Sequence, residues 1–398
     1  MTFGLYCDGN SLVPGTRTVT GCASHRLLLE KGIQMKKLLI VISLIIAFSL
    51  FNASAQNNPS ELTQDEINTM NAAIKADSNL SEFIGWFGEP EDLYKKYKIN
   101  LSRADSIWKH DQQVIKKLKD IGTTRHFEMI PLIDWFTSDD SLIGESGVSY
   151  LIRTDEVTIL FDLGLNTRDE NPSPLQRNIT RLGIKQEDID IIVISHNHGD
   201  HVGGDKWEGK NTFSFTNYQP ILKQMPVYTP GEMTYPGLYP IYTPLPTKIA
   251  KGVATSGVIH NPVFFTDIEE QALAINVEDK GIIIISGCGH QSIEKILQRT
   301  DLLFDDPLYG ILGGFHYPIE EGRNITWVYK YIVVGKLPWE RLTVEDVEKK
   351  CELLKVRNVK LVGLSGHDSS DGSIAIFRQK FPDAFVNIRV GERISLGN

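Results

Sequence analysis

The residues with the clearest capacity for chemistry lie in one loop, Ser-His-Asn-His-Gly-Asp-His at positions 195–201, directly behind an apolar run over 189–194. In an extended chain, residues two apart project to the same side, so His196 and His198 can hold one metal ion. Once the chain turns toward a helix, Asp200 and His201 point to a neighbouring position, which allows a second ion. The alternative, a group of solvated histidines in a turn, is disfavoured because strand, ligands and glycines follow in the order that a metal loop needs.

Three further histidines each follow an apolar run that is typical of a strand: His290, His316 and His367. Such strand ends converge at one edge of a sheet, so we expect these side chains to join the loop as metal ligands or pocket residues. A structural hydrogen bond is the alternative for each. Whether His316 or His367 completes the second metal site stays open. Histidine and aspartate ligands favour two divalent ions, with zinc preferred and manganese or iron compatible.

Two residues are predicted to lie behind the ligands. Asp162 ends an apolar strand, and we expect its carboxylate to orient the metal loop by hydrogen bonding. Cys288 stands two residues before His290 and is either a thiolate ligand or a small buried residue under the loop. We favour the buried residue, because an exported metal-bound thiolate is exposed to oxidation.

The elements that must position these residues form two regions. Residues 56–122 are charged and helical in pattern, and they predict an N-terminal helical extension. Residues 123–398 alternate short β-rich runs with helices and predict a layered α/β domain. Strands are predicted over 128–132, 148–153, 157–161, 189–194, 225–228, 271–277, 281–285, 308–312 and 359–364, and helices over 172–182, 292–299 and 344–354.

The first residues have the pattern of an export signal. Met35 and two lysines precede an apolar run over 38–51 and then Ala53-Ser54-Ala55, which is typical of a signal peptide over 35–55. The run is too short to cross about 30 Å of hydrocarbon, so we expect cleavage near Ala55 and no stable membrane span afterwards. Residues 1–34 are interpreted as preceding the true start. This predicts a periplasmic or secreted protein of a bacterial envelope.

Composition excludes several classes of protein. The chain has 398 residues, of which 41% are hydrophobic and 23% charged, and this is enough for a large core. A net charge of −9 without a block of Lys or Arg argues against a nucleic-acid binder. The expected partner is a small-molecule substrate. Four cysteines in such a chain do not form a disulfide framework. The oligomeric state cannot be predicted.

These motifs resemble the metallo-β-lactamase superfamily from about residue 128 to the C-terminus, and within it the branch of the dihydropterin–aminobenzene ribofuranosyl phosphate synthases. The matching segments are Glu-Ser-Gly-Val-Ser at 145–149, Ile-Leu-Phe-Asp-Leu-Gly at 159–164, the 196–201 loop, Ser-Gly-Cys-Gly-His at 286–290 and Gly-Gly-Phe-His at 313–316. The resemblance implies a four-layer αββα sandwich with metals at one edge. It also implies a first metal site of His196, His198 and His290, and a second of Asp200, His201 and His367.

The functional prediction is an exported metal-dependent hydrolase that uses a metal-bound hydroxide on an ester, lactone, phosphoester or related bond. Asp200 is expected to orient the water or carry its proton, and His316 to polarise a substrate oxygen or donate to the leaving group. The alternatives are a pterin-related transferase, as in the resembling branch, and a non-catalytic metal-binding protein. The aromatic stretch 327–339 is interpreted either as a lid or wall of the substrate pocket or as packing against the domain.

Overall fold

The computed structural model describes residues 61–323 and 325–397. All of them belong to one compact unit, Pro59–Asn398. The predicted upstream segment and signal peptide, residues 1–55, lie outside the described residues. Among the residues that are described, no helix combines the length and the apolar character needed to cross a bilayer.

Three helices fill the N-terminal region: α1 (Gln64–Ala76), α2 (Ser78–Gly85) and α3 (Pro90–Val114). Local sequence sets their boundaries. Thr63 and Glu66 form a capping box at the start of α1, and the Asp77 carboxylate accepts hydrogen bonds from the first N–H groups of α2. Pro90 occupies the first turn of α3, where its missing N–H costs nothing. The helical extension was predicted over 56–122, and the last of its helices, α3, ends at Val114.

Two large sheets form the centre of the remaining chain. The first has seven strands in the order β15-β1-β2-β3-β4-β5-β6, the second has six in the order β14-β13-β12-β11-β8-β7, and β9 and β10 form a separate hairpin. The strands are β1 (Phe127–Ile133), β2 (Ser149–Arg153), β3 (Thr158–Phe161), β4 (Ile191–Val193), β5 (Val227–Thr229), β6 (Ile241–Tyr242), β7 (Thr247–Ala250), β8 (Val253–Thr255), β9 (Ile259–Val263), β10 (Thr266–Glu270), β11 (Leu273–Val277), β12 (Gly281–Ser286), β13 (Leu308–Gly313), β14 (Leu361–Leu364) and β15 (Ile394–Leu396).

Helices cover the outer faces of both sheets. They are α4 (Pro174–Arg181), α5 (Gly199–Val202), α6 (Asp205–Glu208), α7 (Ile293–Leu303), α8 (Val344–Val356) and α9 (Asp371–Lys380), with short 3₁₀ turns at Gln186–Asp188 and Tyr329–Tyr331. The predicted positions of α4, α7 and α8 agree with the structure. The sequence prediction omitted α9, β15 and the run from β6 to β10, whose polar and proline-containing segments lack a clear alternation.

Alternating side chains build the four layers. Along β12, Ile283 and Ile285 point into the core between the two sheets, whereas Ile282 and Ile284 pack against the core under α7, α8 and α9. Strand β1 alternates in the same way, with Met129 in the core between the sheets and other residues packed under α4. Apolar side chains therefore fill both faces of each sheet, and the predicted αββα sandwich is confirmed.

The topology brings several strand ends together. Strands β12, β13 and β14 are parallel, so their carboxyl ends meet at one edge of the second sheet. Strands β3 and β4 are also parallel, and their carboxyl ends meet at one edge of the first sheet. The residues that follow these five strands carry the chemistry described next.

Candidate metal centre

The loop behind β4 adopts the predicted geometry. The chain is still extended at His198 and then forms the single turn of α5. The Nε2 atom of His196 and the Nδ1 atom of His198 lie 3.0 Å apart, so both imidazoles face the same side. The turn closes at Gly203, which has φ +90°. A Cβ atom at this position would lie only 2.0 Å from the carbonyl oxygen of Ser214. Only glycine fits this position.

The first group of ligand atoms combines His196 and His198 with His290, which follows β12. These atoms all lie within 4.8 Å of one another. Burial lowers the pKa of all three histidines, and the neighbouring imidazoles lower it further. The rings are therefore neutral at pH 7, and each has a lone pair available for a cation.

The second group contains Asp200, His201, His367 and Cys288, again with ligand atoms within 4.8 Å. The sulfur of Cys288 lies 3.2 Å from His201 Nε2 and 3.1 Å from His367 Nε2. The sequence favours Cys288 as a buried residue behind the ligands, whereas the structure places its sulfur among the ligand atoms. Cys288 also groups with His290 and His316. The two sets of ligand atoms are thus adjacent.

The charge of this second group suits a cation. Burial alone would lower the pKa of His201, but Asp200, Cys288 and Asp162 raise it well above its usual value. Burial likewise opposes ionisation of Asp200, yet the adjacent His201 lowers the pKa of this carboxyl. Without a metal, a protonated His201 therefore balances the carboxylates. A divalent ion would supply that positive charge instead, and the donor set of imidazole, carboxylate and thiol is one that zinc accepts.

An unpartnered nitrogen atom supports the same interpretation. The Nδ1 atom of His316 is buried and has no hydrogen-bond partner among the described residues. Buried polar atoms without a partner are rare and mark places where a ligand or water completes the structure. The residues present therefore fit a pair of divalent ions.

Carboxylates lie behind the histidines. The Asp162 Oδ2 atom accepts hydrogen bonds from Ser195 Oγ (2.6 Å) and His201 Nδ1 (2.7 Å), so His201 directs Nε2 to the ligand group. On the opposite side, the fully buried Asp134 accepts a hydrogen bond from Ser365 Oγ (2.6 Å), which in turn contacts His367 Nδ1 (2.7 Å).

Asp134 and a third buried carboxylate, Glu270, were not predicted from the sequence. Asp134 directly follows the apolar strand β1, as Asp162 follows β3, so the same pattern would have indicated it. Glu270 ends β10, and its neighbour is also a glutamate. Nothing in such a pair indicates burial.

His316 follows β13 in a left-handed conformation, with φ +54°. Its Nε2 atom lies 2.8 Å from the carbonyl oxygen of Ile332. A carbonyl only accepts, so Nε2 carries the ring proton and the unpartnered Nδ1 holds the lone pair. Burial lowers the pKa of His316 to about 4, and the ring is neutral at pH 7. Nδ1 is then suited to accept a proton or bind a cation, and it must be protonated before it can donate to a leaving group.

A cavity of about 1060 Å³ opens onto both groups. Its lining includes His198, Asp200, Cys288, His290, His316 and His367. Tyr329 and Ile332, from the segment between β13 and α8, form part of the opposite wall. Burial, together with the negative charge of Asp200, raises the pKa of Tyr329 to about 12, so its hydroxyl remains a donor at neutral pH.

The N-terminal helices hold this wall in place. Tyr331 is fully buried and stacks on Phe83 of α2 at 5.3 Å between ring centroids. Its hydroxyl donates to the Asp77 carboxylate at 2.7 Å, and Arg341 pairs with the same carboxylate. Within the aromatic stretch, Tyr329 therefore lines the cavity while Tyr331 packs against the helices. Both interpretations of the stretch apply, each to different side chains.

Comparisons with known proteins agree with this architecture. A family model described as the metallo-beta-lactamase superfamily matches residues 142–304. Over these residues the chain is similar to the metallo-β-lactamase superfamily.

Individual relatives indicate which branch of the superfamily the chain is similar to. The 7,8-dihydropterin-6-methyl-4-(beta-D-ribofuranosyl)-aminobenzene-5'-phosphate synthase of Methanocaldococcus jannaschii is 23% identical over 328 residues, which cover 70% of this chain and 99% of that protein. The predicted resemblance to this branch is thereby confirmed. A metallo-hydrolase of Annulohypoxylon moriforme is 31% identical over 126 residues, covering 26% of this chain and 32% of that protein.

Among solved structures, a metal-dependent hydrolase of the beta-lactamase superfamily matches with 18% identity and a TM-score of 0.47. That alignment covers 68% of this chain and all of the other. Human tRNase Z, short form, matches with 15% identity and a TM-score of 0.39, over 68% of this chain and all of the other.

Proposed function

We propose that this protein is a metal-dependent hydrolase that acts on an ester, lactone, phosphoester or related bond of a small molecule. The observation that carries the proposal is the adjacency of two groups of ligand atoms, each within 4.8 Å, that open onto one cavity of about 1060 Å³. In such a centre, bound divalent ions supply Lewis acidity and lower the pKa of water to about 7. His196, His198 and His290 would hold one ion, and Asp200, His201, His367 and Cys288 the other.

The protein's own residues supply the remaining steps. Asp200 lies at the cavity with a side chain 28% exposed, and it is ionised, so it can orient a water molecule by accepting a hydrogen bond from it. The Nδ1 lone pair of His316 can take up the proton that this water releases and return it to the leaving group. The Tyr329 hydroxyl donates a hydrogen bond to the substrate oxygen that gains negative charge.

Zinc is the proposed ion, because imidazole, carboxylate and thiol ligands together suit it best. We also propose export to the periplasm or the exterior, on the strength of the charged start, apolar run and small residues over 35–55. Mass spectrometry of the protein recovered from its native host tests this proposal. A mature N-terminus at Gln56 supports export, and a chain that retains residues 35–55 contradicts it.

The hydrolase proposal is tested by elemental analysis followed by a screen of generic phosphoester, lactone and β-lactam substrates. The variant His196→Ala/His198→Ala should lose bound metal and turnover while circular dichroism shows an unchanged fold. The matched control is His110→Ala, a change of the same type at an exposed site on α3. It should retain metal and activity. Full turnover by metal-free wild-type protein would refute the proposal.

A second activity has one specific observation in its favour, the match to nearly the whole length of the synthase. This activity would be a transferase that joins a pterin fragment to an aminobenzene ribofuranosyl phosphate. Incubation of metal-loaded protein with both compounds, followed by mass spectrometry, separates the two proposals. Formation of the joined product favours the transferase, and hydrolysis of a generic substrate without it favours the hydrolase.

A further inference from the structure

The fully buried Glu270 contacts the loop that follows β12 through three successive backbone N–H groups. Its Oε1 atom accepts from Cys288 N at 3.1 Å and Gly289 N at 3.0 Å, and its Oε2 atom accepts from His290 N at 2.7 Å. The Oε2 atom also lies 3.5 Å from His290 Nδ1. A single carboxylate thus fixes the backbone of the whole 288–290 loop.

This loop supplies one ligand candidate to each group. His290 belongs to the first group with His196 and His198, and Cys288 belongs to the second with Asp200, His201 and His367. Only Gly289 separates the two residues, so a shift of the loop displaces both side chains at once. The relative position of the two metal sites therefore depends on the conformation of the 288–290 loop.

The next residue along the chain binds the other metal loop. The backbone N–H of Gln271 donates to the carbonyl oxygen of Ser195 at 2.9 Å, and its side-chain Nε2 donates to that of Ile194 at 2.8 Å. Both residues of the pair Glu270-Gln271 are fully buried. The pair thus connects the 288–290 loop to the start of the 196–201 loop.

Close packing leaves little freedom at this junction. A Cβ atom on Gly287 would lie 2.2 Å from Ser195 Oγ, so the two loops are in direct contact beside the pair. Asn100 on α3 donates to the carbonyl oxygen of Phe265 at 2.8 Å, which ties the β9–β10 hairpin to the N-terminal helices. The β9–β10 hairpin that carries Glu270 is therefore bound both to the N-terminal helices and to the 288–290 loop.

We propose that Glu270 is a positioning residue for both metal sites, and that it sets their separation by fixing the 288–290 loop. This inference rests on the proposed metal centre. Asp134 provides a natural comparison, because it acts through Ser365 on His367 alone, a member of the second group only. Neutralising Glu270 should thus affect metal binding at both sites, whereas neutralising Asp134 should affect it at one.

The experiment compares Glu270→Gln, Asp134→Asn and Glu269→Gln. In Glu270→Gln the amide N–H₂ confronts backbone N–H donors at 288–290, so the loop must move. We expect the affinity for both ions to fall by about 10–100-fold, the range found when residues behind metal ligands are changed. Asp134→Asn should lower the affinity for one ion only. Glu269→Gln is the matched control, one residue earlier on β10 and only half-buried, and should bind both ions as wild type does.

Metal-free protein is titrated with Co²⁺, and binding is monitored by calorimetry and absorption spectroscopy. The thiolate-to-cobalt band in the near ultraviolet reports on Cys288, and the visible bands report on the geometry of both ions. For Glu270→Gln both should change. Thermal unfolding verifies that each variant is folded. If Glu270→Gln does not fold, Glu270→Asp keeps the charge but withdraws the carboxylate from the loop, and weaker binding of both ions is again expected.

The outcomes separate this inference from the proposed function. Wild-type protein that binds no Co²⁺ would overturn the metal centre itself. Wild-type protein that binds two ions, together with a folded Glu270→Gln or Glu270→Asp variant of unchanged affinity and spectrum, would overturn the role of Glu270 alone. Loss of one ion only, as expected for Asp134→Asn, would show that Glu270 does not position both sites.

Discussion

The carboxyl group of Asp134 offers a quantitative test of the environment behind His367. Its Oδ1 atom accepts hydrogen bonds from the N–H groups of Trp135 and Gly366, and its Oδ2 atom accepts from the hydroxyls of Tyr150 and Ser365. The change Asp134→Asn keeps one acceptor oxygen for the two N–H groups. Its new N–H₂ group meets hydroxyls, which can rotate and accept. Asparagine therefore imitates the protonated carboxyl.

Burial raises the pKa of Asp134 from 3.8 to about 6, although its four hydrogen bonds oppose this rise. Because the pKa is higher in the folded protein than in the unfolded chain, the folded state binds this proton more tightly. The contribution of the group to stability is thus fully present below about pH 4 and is lost as the pH rises through about 6. For this fully buried group, a rise of the pKa from 3.8 to about 6 corresponds to about 3 kcal/mol in the free energy of unfolding.

The assay is urea unfolding of metal-free wild type and Asp134→Asn at several pH values between 4 and 7. Other ionisable groups contribute to both curves and cancel in the difference. The free energy of unfolding of the variant should rise relative to wild type by about 3 kcal/mol across this interval. If the difference in the free energy of unfolding between variant and wild type stays constant with pH, the reasoning is refuted. The Asp134 carboxyl would then have the same pKa in the folded and unfolded states.

Three more predictions follow from the described contacts. Tyr329→Phe should lower turnover of a responsive substrate by about 100-fold with unchanged metal content, and unchanged turnover would exclude its hydroxyl as a donor to the reacting oxygen. Arg299→Ala should destabilise the protein by about 3–5 kcal/mol in urea unfolding, because it leaves Asp111 buried without its partner at 2.7 Å. Arg393→Ala should cost less than about 1 kcal/mol, because Arg393 is exposed and its partner Glu128 keeps a second hydrogen bond from Arg153. Removal of metal by a chelator should lower the melting temperature, since an ion present at about 100 times its Kd adds about 2.7 kcal/mol, and an unchanged melting temperature would argue against bound metal in the preparation.

The sequence predicted the candidate ligands because each one directly follows an apolar strand. The loop at 196–201 and the three histidines at strand ends depend on local pattern alone, and parallel strands then bring such ends to one edge. The structure assembles all six predicted ligand residues into the two groups that the resemblance implied. The αββα layers follow from the same alternation of apolar residues along the strands.

The parts that escaped prediction depend on contacts between distant segments. The place of Cys288 among the ligands depends on where β14 brings His367, 79 residues further along the chain. In the sequence, Glu269 and Glu270 are typical of a solvated pair of glutamates. Only the position of β10 beside the 288–290 loop buries Glu270. The division of the aromatic stretch between cavity and packing depends on α2, which lies more than 200 residues earlier in the chain.

The turn that carries Tyr329 and Tyr331 has a consequence for how this enzyme class can diversify. Tyr329 lines the cavity and Tyr331 packs against α2, so the shape of this cavity wall depends on helices that supply none of the candidate ligands. Substitutions in α1 and α2 can therefore change which molecules are accepted while the chemistry at the metals is preserved. Exchange of these helices between relatives offers a route to new substrate preferences.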